Sequence, residues 1–165
     1  MNQRASGFSL VELMIAISIV GILGSFAIAG MGTYIARIQL VEALGLSGTV
    51  KQRIIEYIQQ TGELPENNDT AGLSNPTSFS GKYTQAIEVD EGVIHLVMRE
   101  EGAVSRLIRG GRLSLRPLIL PSDGVTVVAW LCGDEQPPPE LATTEVFASK
   151  NLTDINHFLL PTSCR

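Results

Sequence analysis

Aromatic residues are scarce in this 165-residue chain, at 5%, and there is one Trp. Charged residues are scarce too, at 18%, and they are unbalanced: twelve Lys and Arg against seventeen Asp and Glu give a net charge of −5. An acidic surface repels phosphate, which argues against a general nucleic-acid binder. Two Cys and two His are too few for a Cys-rich zinc module and leave few other soft ligands for a metal. Phosphate-binding glycine loops, nucleophile elbows and zincin helices are absent from the sequence, so the common catalytic signatures are missing. Collagen-like, coiled-coil and disordered classes fail on composition.

What the chain has is apolar sequence, at 44% with a mean hydropathy of +0.20, and the excess lies at the front. Residues 8–36, FSLVELMIAISIVGILGSFAIAGMGTYIA, carry one charge, Glu12. Roughly 20 apolar residues in a helix cross a bilayer core, so the run is long enough to span. A secretory signal peptide fits poorly. The run exceeds the usual apolar core of about 7–15 residues, no cleavage signal follows it, and it contains a carboxylate. That carboxylate costs several kcal/mol in lipid unless something partners it. A Glu near a helix end that reaches toward the headgroups is the plain reading. The sharper one follows if the chain is cut after Gly7. Phe8 then carries a free amine four residues before Glu12, on the same helix face. In a bundle of such helices the amine of one copy pairs with Glu12 of the next and sets their register.

Gly7-Phe8 followed by SLVELMIAISIVGIL resembles the leader junction of type IV pilins. The likeness continues through GKYTQAIEVDEGVIHLVM, GRLSLRPL, VTVVAWLCG and LLPTSCR, which are similar to the head of type IVa major pilins. The resemblance implies removal of leader residues 1–7 between Gly7 and Phe8 by a prepilin peptidase, methylation of Phe8, and an assembly role for Phe8 and Glu12. It also implies an α+β pilin fold with no catalytic activity, cofactor or metal. The implied partners are copies of the chain itself in a helical homopolymer, the prepilin peptidase and methylase, and the assembly machinery of a Gram-negative inner membrane. Host or surface receptors are allowed, and the sequence leaves DNA open. The subunit is expected in the inner membrane with a periplasmic head, then in a surface fimbrium serving adhesion, twitching motility and, among the roles allowed, DNA uptake. Many family members carry a Pro in this helix where the chain has Ala29-Gly30, so no proline kink is expected; Gly21, Gly24, Gly30 and Gly32 punctuate it instead.

Beyond Arg37 charges mix with apolar residues at helical spacing, with Val41, Leu44, Ile54, Ile55 and Ile58 able to face a core. Thr61-Gly62 and Pro65 mark a stop. A helix from about Phe8 to Gln60 is roughly 80 Å long, far beyond one domain, so half of it projects. A projecting apolar helix needs a bilayer or a bundle of its copies. On this division residues 8–36 are the membrane or filament-core half, and 37–165 form the head. Glu63–Lys82, rich in Asn, Gly, Ser and Pro, reads as an irregular loop and resembles the αβ-loop of pilins, 61–82. Asn68 and Asn151 match the N-x-[ST] pattern, which often arises by chance.

Alternation then predicts four antiparallel strands over about 84–132. TQAIEVD and VIHLVMR flank a hairpin at Glu91-Gly92, GRLSLRPLIL places Leu113, Leu115 and Leu118 on one side, and VTVVAWLC follows the Ser122-Asp123-Gly124 turn. One face packs on the second half of the helix. Arg106, Arg109, Arg112 and Arg116 read as a solvated strand edge that resists edge pairing, with a DNA-contacting patch as the alternative. His95 reads as a sheet-face residue and His157 lies near the tail; a Ser–His–Asp site requires them to converge with residues such as Ser122 and Asp123. Cys132 and Cys164 enclose a segment with three consecutive prolines. In a translocated head a disulfide is the default, worth about 3–4 kcal/mol by chain entropy; a reactive or metal-binding thiol pair is the alternative. The resemblance implies the bridge and a disulfide loop, 132–164. Two rival identities stay open: a minor pilin or type II secretion pseudopilin, and a membrane-tethered periplasmic binding module or enzyme.

Overall fold

A computed structural model describes residues 7–120, 126–139 and 150–164. The leader up to Ser6, the Ser122-Asp123-Gly124 turn and residues 140–149 lie outside the described residues. Helix α1 runs Leu10–Thr61. Ser9 caps its start by accepting the Glu12 N–H at 3.2 Å, which satisfies one of the orphan donors of the first turn. Gly62, at φ 75°, ends it with its N–H on Ile58 O, a conformation that favours glycine. The axis turns by 49° between Leu10–Phe26 and Met31–Thr61 with no proline in the helix. Among the described residues no single straight helix is long and apolar enough to cross a membrane, while these two arms taken together pass by length and composition.

The two ends of α1 differ in what they bury. Ala36, Leu40, Ala43, Ser47, Val50, Ile54 and Ile58 are buried at steps of three or four, one stripe facing the sheet. Val41, expected in that stripe, is 54% exposed. Apolar residues lie on both sides of the helix here, so spacing alone admitted two stripes, and the sheet takes the one through Leu40.

Strands β1 (Thr84–Asp90), β2 (Val93–Met98), β3 (Arg112–Leu120) and β4 (Thr126–Cys132) form an antiparallel meander in chain order. Glu91 and Gly92 both have positive φ, the requirement of a tight two-residue hairpin. Ile87, Val89, Ile94, Leu96, Met98, Leu113, Leu115 and Ile119 form the core with the α1 stripe. Leu118 does not share the face of Leu113 and Leu115. The β3–β4 register shifts after Leu118, strand parity puts Leu118 on the outer face, and Ile119 takes the core position.

Two further expectations change. The arginines do not guard an edge. β3 lies between β2 and β4, Arg116 is buried, and Arg106 and Arg109 stand in the β2–β3 loop. The edge strands are β1 and β4; the 63–82 segment covers β1, so this loop is less irregular than its composition. Asn68, buried, donates to Ile87 O at 3.1 Å and accepts from Val89 N at 2.7 Å, supplying the missing ladder bonds. Asn67 bridges Asp90, Leu73 enters the core, and Pro76–Phe79 is a short 3-10 turn. With both ends of its amide engaged inside the protein, Asn68 is no glycan acceptor here.

Candidate assembly surface and disulfide-bounded tail

From Phe8, 81% exposed, to Val41, α1 presents large apolar side chains to the outside: Leu10, Val11, Leu13, Ile15, Ile17, Val20, Ile22, Leu23 and Phe26 among them. Monomeric proteins seldom expose apolar surface on this scale unless a partner or membrane covers it. Glu12 is the one charge between Phe8 and Ala36. Its backbone N–H is capped by Ser9, while its carboxylate is exposed and has no partner among the described residues. Ser9 and Glu12 have the Ser-x-x-Glu spacing of a capping box, but only the Ser9 half is made, through the Glu12 N–H. Phe8 lies one turn before it.

At the other end of the head, Cys132 and Cys164 are joined, which removes the thiol alternative. The tail inside the bridge is fastened to the outer sheet face. Leu152 N donates to Ser114 Oγ at 2.9 Å, and Ser114 N to Thr153 Oγ1 at 3.0 Å. Arg112 N donates to Asp154 Oδ1 at 2.6 Å, and Lys150 pairs with Asp90 at 2.5 Å, which raises the Lys150 pKa through that hydrogen bond. Arg116 Nη2 donates to Gly133 O at 3.0 Å and Glu135 O at 2.6 Å, fixing the turn beside Cys132. None of this was legible from the arginine spacing; the signal was strand parity, since Ser114 and Arg116 alternate with Leu113 and Leu115.

His95 sits on the outer face as expected, buried, with Nδ1 2.9 Å from Ser114 Oγ. Burial lowers its pKa, only partly opposed by Asp90. The pair has the elements of a nucleophile and base, yet Ser114 is fully buried and its Oγ is held by the Leu152 N–H. No substrate reaches it. Ser122 and Asp123 fall outside the described residues. An open cavity of about 490 Å³ lies over this face; of its three carboxylates, Asp69, Glu88 and Asp90, the last two are paired with Arg112 and Lys150. No group of three His, Cys, Asp or Glu among the described residues is placed to hold a metal. On the helix side, Lys51 lies 5.6 Å over the Trp130 ring, and burial lowers its pKa.

Residues 36–165, the meander-sheet head with its bridged tail, match the family model for pilin, a bacterial filament protein. The chain belongs to the pilin family. The prokaryotic N-terminal methylation motif matches residues 2–28, across the apolar arm. A fimbrial protein of Neisseria meningitidis serogroup A / serotype 4A is 38% identical over all of this chain and 96% of its own length. Type IV major pilin protein PilE1 of Neisseria gonorrhoeae is 38% identical over all of this chain and 89% of its own. Fimbrial protein EcpC of Eikenella corrodens is 36% identical over 70% of this chain and 76% of its own. As a pilin, the chain is a structural subunit of a pilus, not an enzyme, and its N-terminal motif is that of a processed precursor.

Proposed function

We propose that this pilin is a major subunit of a type IV pilus. The reading rests on one observation: an apolar helix surface from Phe8 to Ile35, left uncovered by the described residues of the head and interrupted by a single charge, the Glu12 carboxylate. In this reading the leader is cut after Gly7, Phe8 is methylated, and residues 8–36 anchor the subunit in the inner membrane with the head, 37–165, in the periplasm. Assembly moves the arm from lipid into a bundle of identical arms. Apolar surface stays covered in both places, so the exchange avoids the cost of exposure to water. The Phe8 amine of one copy neutralises Glu12 of its neighbour. A reversible fibre of this kind serves adhesion, twitching motility and DNA uptake. The minor-pilin reading differs in abundance and the pseudopilin reading in the machine served.

Mass spectrometry of filaments sheared from the surface tests it. The expected result is a dominant chain beginning at methylated Phe8 with Cys132 and Cys164 bridged. An intact chain confined to the membrane fraction contradicts the polymer reading.

A further inference from the structure

The head does not stop where the apolar arm begins. The β2–β3 loop is pinned to α1 by one side chain: Gln39 Nε2 donates to Ala103 O at 3.1 Å, and Ser105 N donates to Gln39 Oε1 at 2.7 Å. This sets Leu107 beside Gly32, where an added methyl would lie 4.0 Å from Leu107 Cδ1. Gly32 precedes Ala36, the end of the apolar run, by four residues, so Leu107 is level with a point about 6 Å inside that run along the axis. Leu107 is 51% exposed, although its neighbour Ile108 is buried in the core. A second apolar side chain stands in the same zone. Phe158, in the 3-10 turn His157–Leu159, is 74% exposed, and its carbonyl accepts from Arg37 Nη2 at 2.7 Å, just past the end of the run. Exposed Arg106 adjoins Leu107. Glu100 and Glu101 are the acids of the same loop.

We propose that the underside of the head, Leu107 and Phe158 with Tyr34, Ile35 and Ile38 of α1, seats in the headgroup zone of a phospholipid bilayer in the unassembled subunit. The inference rests on the membrane-anchor reading above. If residues up to Ala36 lie in lipid, Leu107 is carried to the depth of Gly32, and a loop at that depth meets acyl chains and glycerol rather than water. The composition suits this position. Apolar tips enter about 5–10 Å into the boundary, while exposed Arg106 extends toward lipid phosphates on its aliphatic stem and Arg37 holds the Phe158 turn against α1. A neighbouring copy is the competing occupant, and the experiment separates the two.

The test uses the full-length chain in phosphatidylcholine–phosphatidylglycerol vesicles whose acyl chains are brominated at a shallow or a deep position. The wild-type chain has a single Trp, Trp130 in β4; it packs under Lys51, well beyond the apolar run, and gives the baseline. Leu107→Trp and Phe158→Trp, each in a Trp130→Phe background, report on the underside, and Ile17→Trp reports on the anchor. All three sites are exposed, so the head folds in each. The expected result is quenching at 107 and 158 severalfold above baseline and stronger with shallow bromines, with position 17 quenched more by deep ones. Quenching at 17 but only baseline quenching at 107 and 158 overturns the inference and leaves the anchor standing. Baseline quenching at all three overturns the anchor reading as well. Loss of filaments in Leu107→Asp, with no quenching in vesicles, assigns the surface to a neighbouring copy and also overturns the inference.

Discussion

The two halves of α1 are one continuous helix, yet they solve the burial of apolar side chains in opposite ways. From Ala36 onward one stripe of apolar residues is covered by the chain's own sheet, with Ile38 and Val41 still facing outward. From Phe8 to Phe26 and from Met31 to Ile35 they lie all round the helix, and among the described residues nothing covers them. A one-sided stripe identifies a helix that finishes its core within its own domain; an all-round apolar surface identifies one that finishes it in lipid or among copies. The boundary falls near Ala36 and Arg37, where the first cation enters and the sheet begins.

The sharpest way to break this contrast is to place the same charge in each half. Ile54→Asp buries an unpaired carboxylate against the sheet, with an expected loss of several kcal/mol and no cooperative unfolding transition left. Ile17→Asp, at an exposed position, is expected to leave the head within about 0.5 kcal/mol of wild type while removing the chain from membranes and filaments. Denaturant unfolding in detergent, followed by Trp130 emission, reads the first effect, and membrane fractionation reads the second. Equal effects on head stability would erase the distinction.

Next in size is the tail that completes the covered half. Replacing both Cys132 and Cys164 by Ser is expected to cost roughly 3–4 kcal/mol, seen as a lower denaturation midpoint, with the apolar arm still helical by circular dichroism. A smaller effect attaches to His95. Burial holds its imidazole below the ordinary value of about 6.5, so the folded head carries the neutral ring and binds fewer protons than the unfolded chain. This contribution is complete above about pH 6.5 and is lost as pH falls through the lowered folded pKa. The midpoint of wild type should fall with acidification in that window, and His95→Gln should flatten that part of the profile. Smallest is Arg53→Ala, which breaks the exposed Arg53–Glu56 pair at 3.0 Å and should change stability by at most about 0.5 kcal/mol.

The elements were legible because each carries a period. The helix ends were signalled by Gly62 and by the start of the apolar run, and the strands by alternation around Glu91-Gly92. What was not legible depends on partners distant in sequence. Nothing local says that Leu40 rather than Val41 meets the sheet, since both belong to plausible stripes. Leu118 was misplaced although strand parity decides it: it lies three residues from Leu115 along an uninterrupted β3, so it falls on the opposite face and Ile119 takes the core position. Asn68 is spelled as a sequon, and only the approach of β1 turns it into an edge cover. The arginines looked alike in sequence, yet Arg116 is drawn inward by the carbonyls of Gly133 and Glu135, while Arg106 stays in the loop. For the assembly surface, the apolar run and Glu12 were evident at once. The tail lattice through Ser114 was not, because a single Ser in a strand has no signature.

The central claim is that the uncovered half of α1 exists to meet copies of itself, with Glu12 as the one charge that must be matched. It is tested most directly by counting surface filaments in Glu12→Ala beside wild type, with head stability measured in parallel. The account predicts few or no filaments and an unchanged unfolding midpoint, since Glu12 touches nothing in the head. Wild-type filament numbers in Glu12→Ala would contradict it.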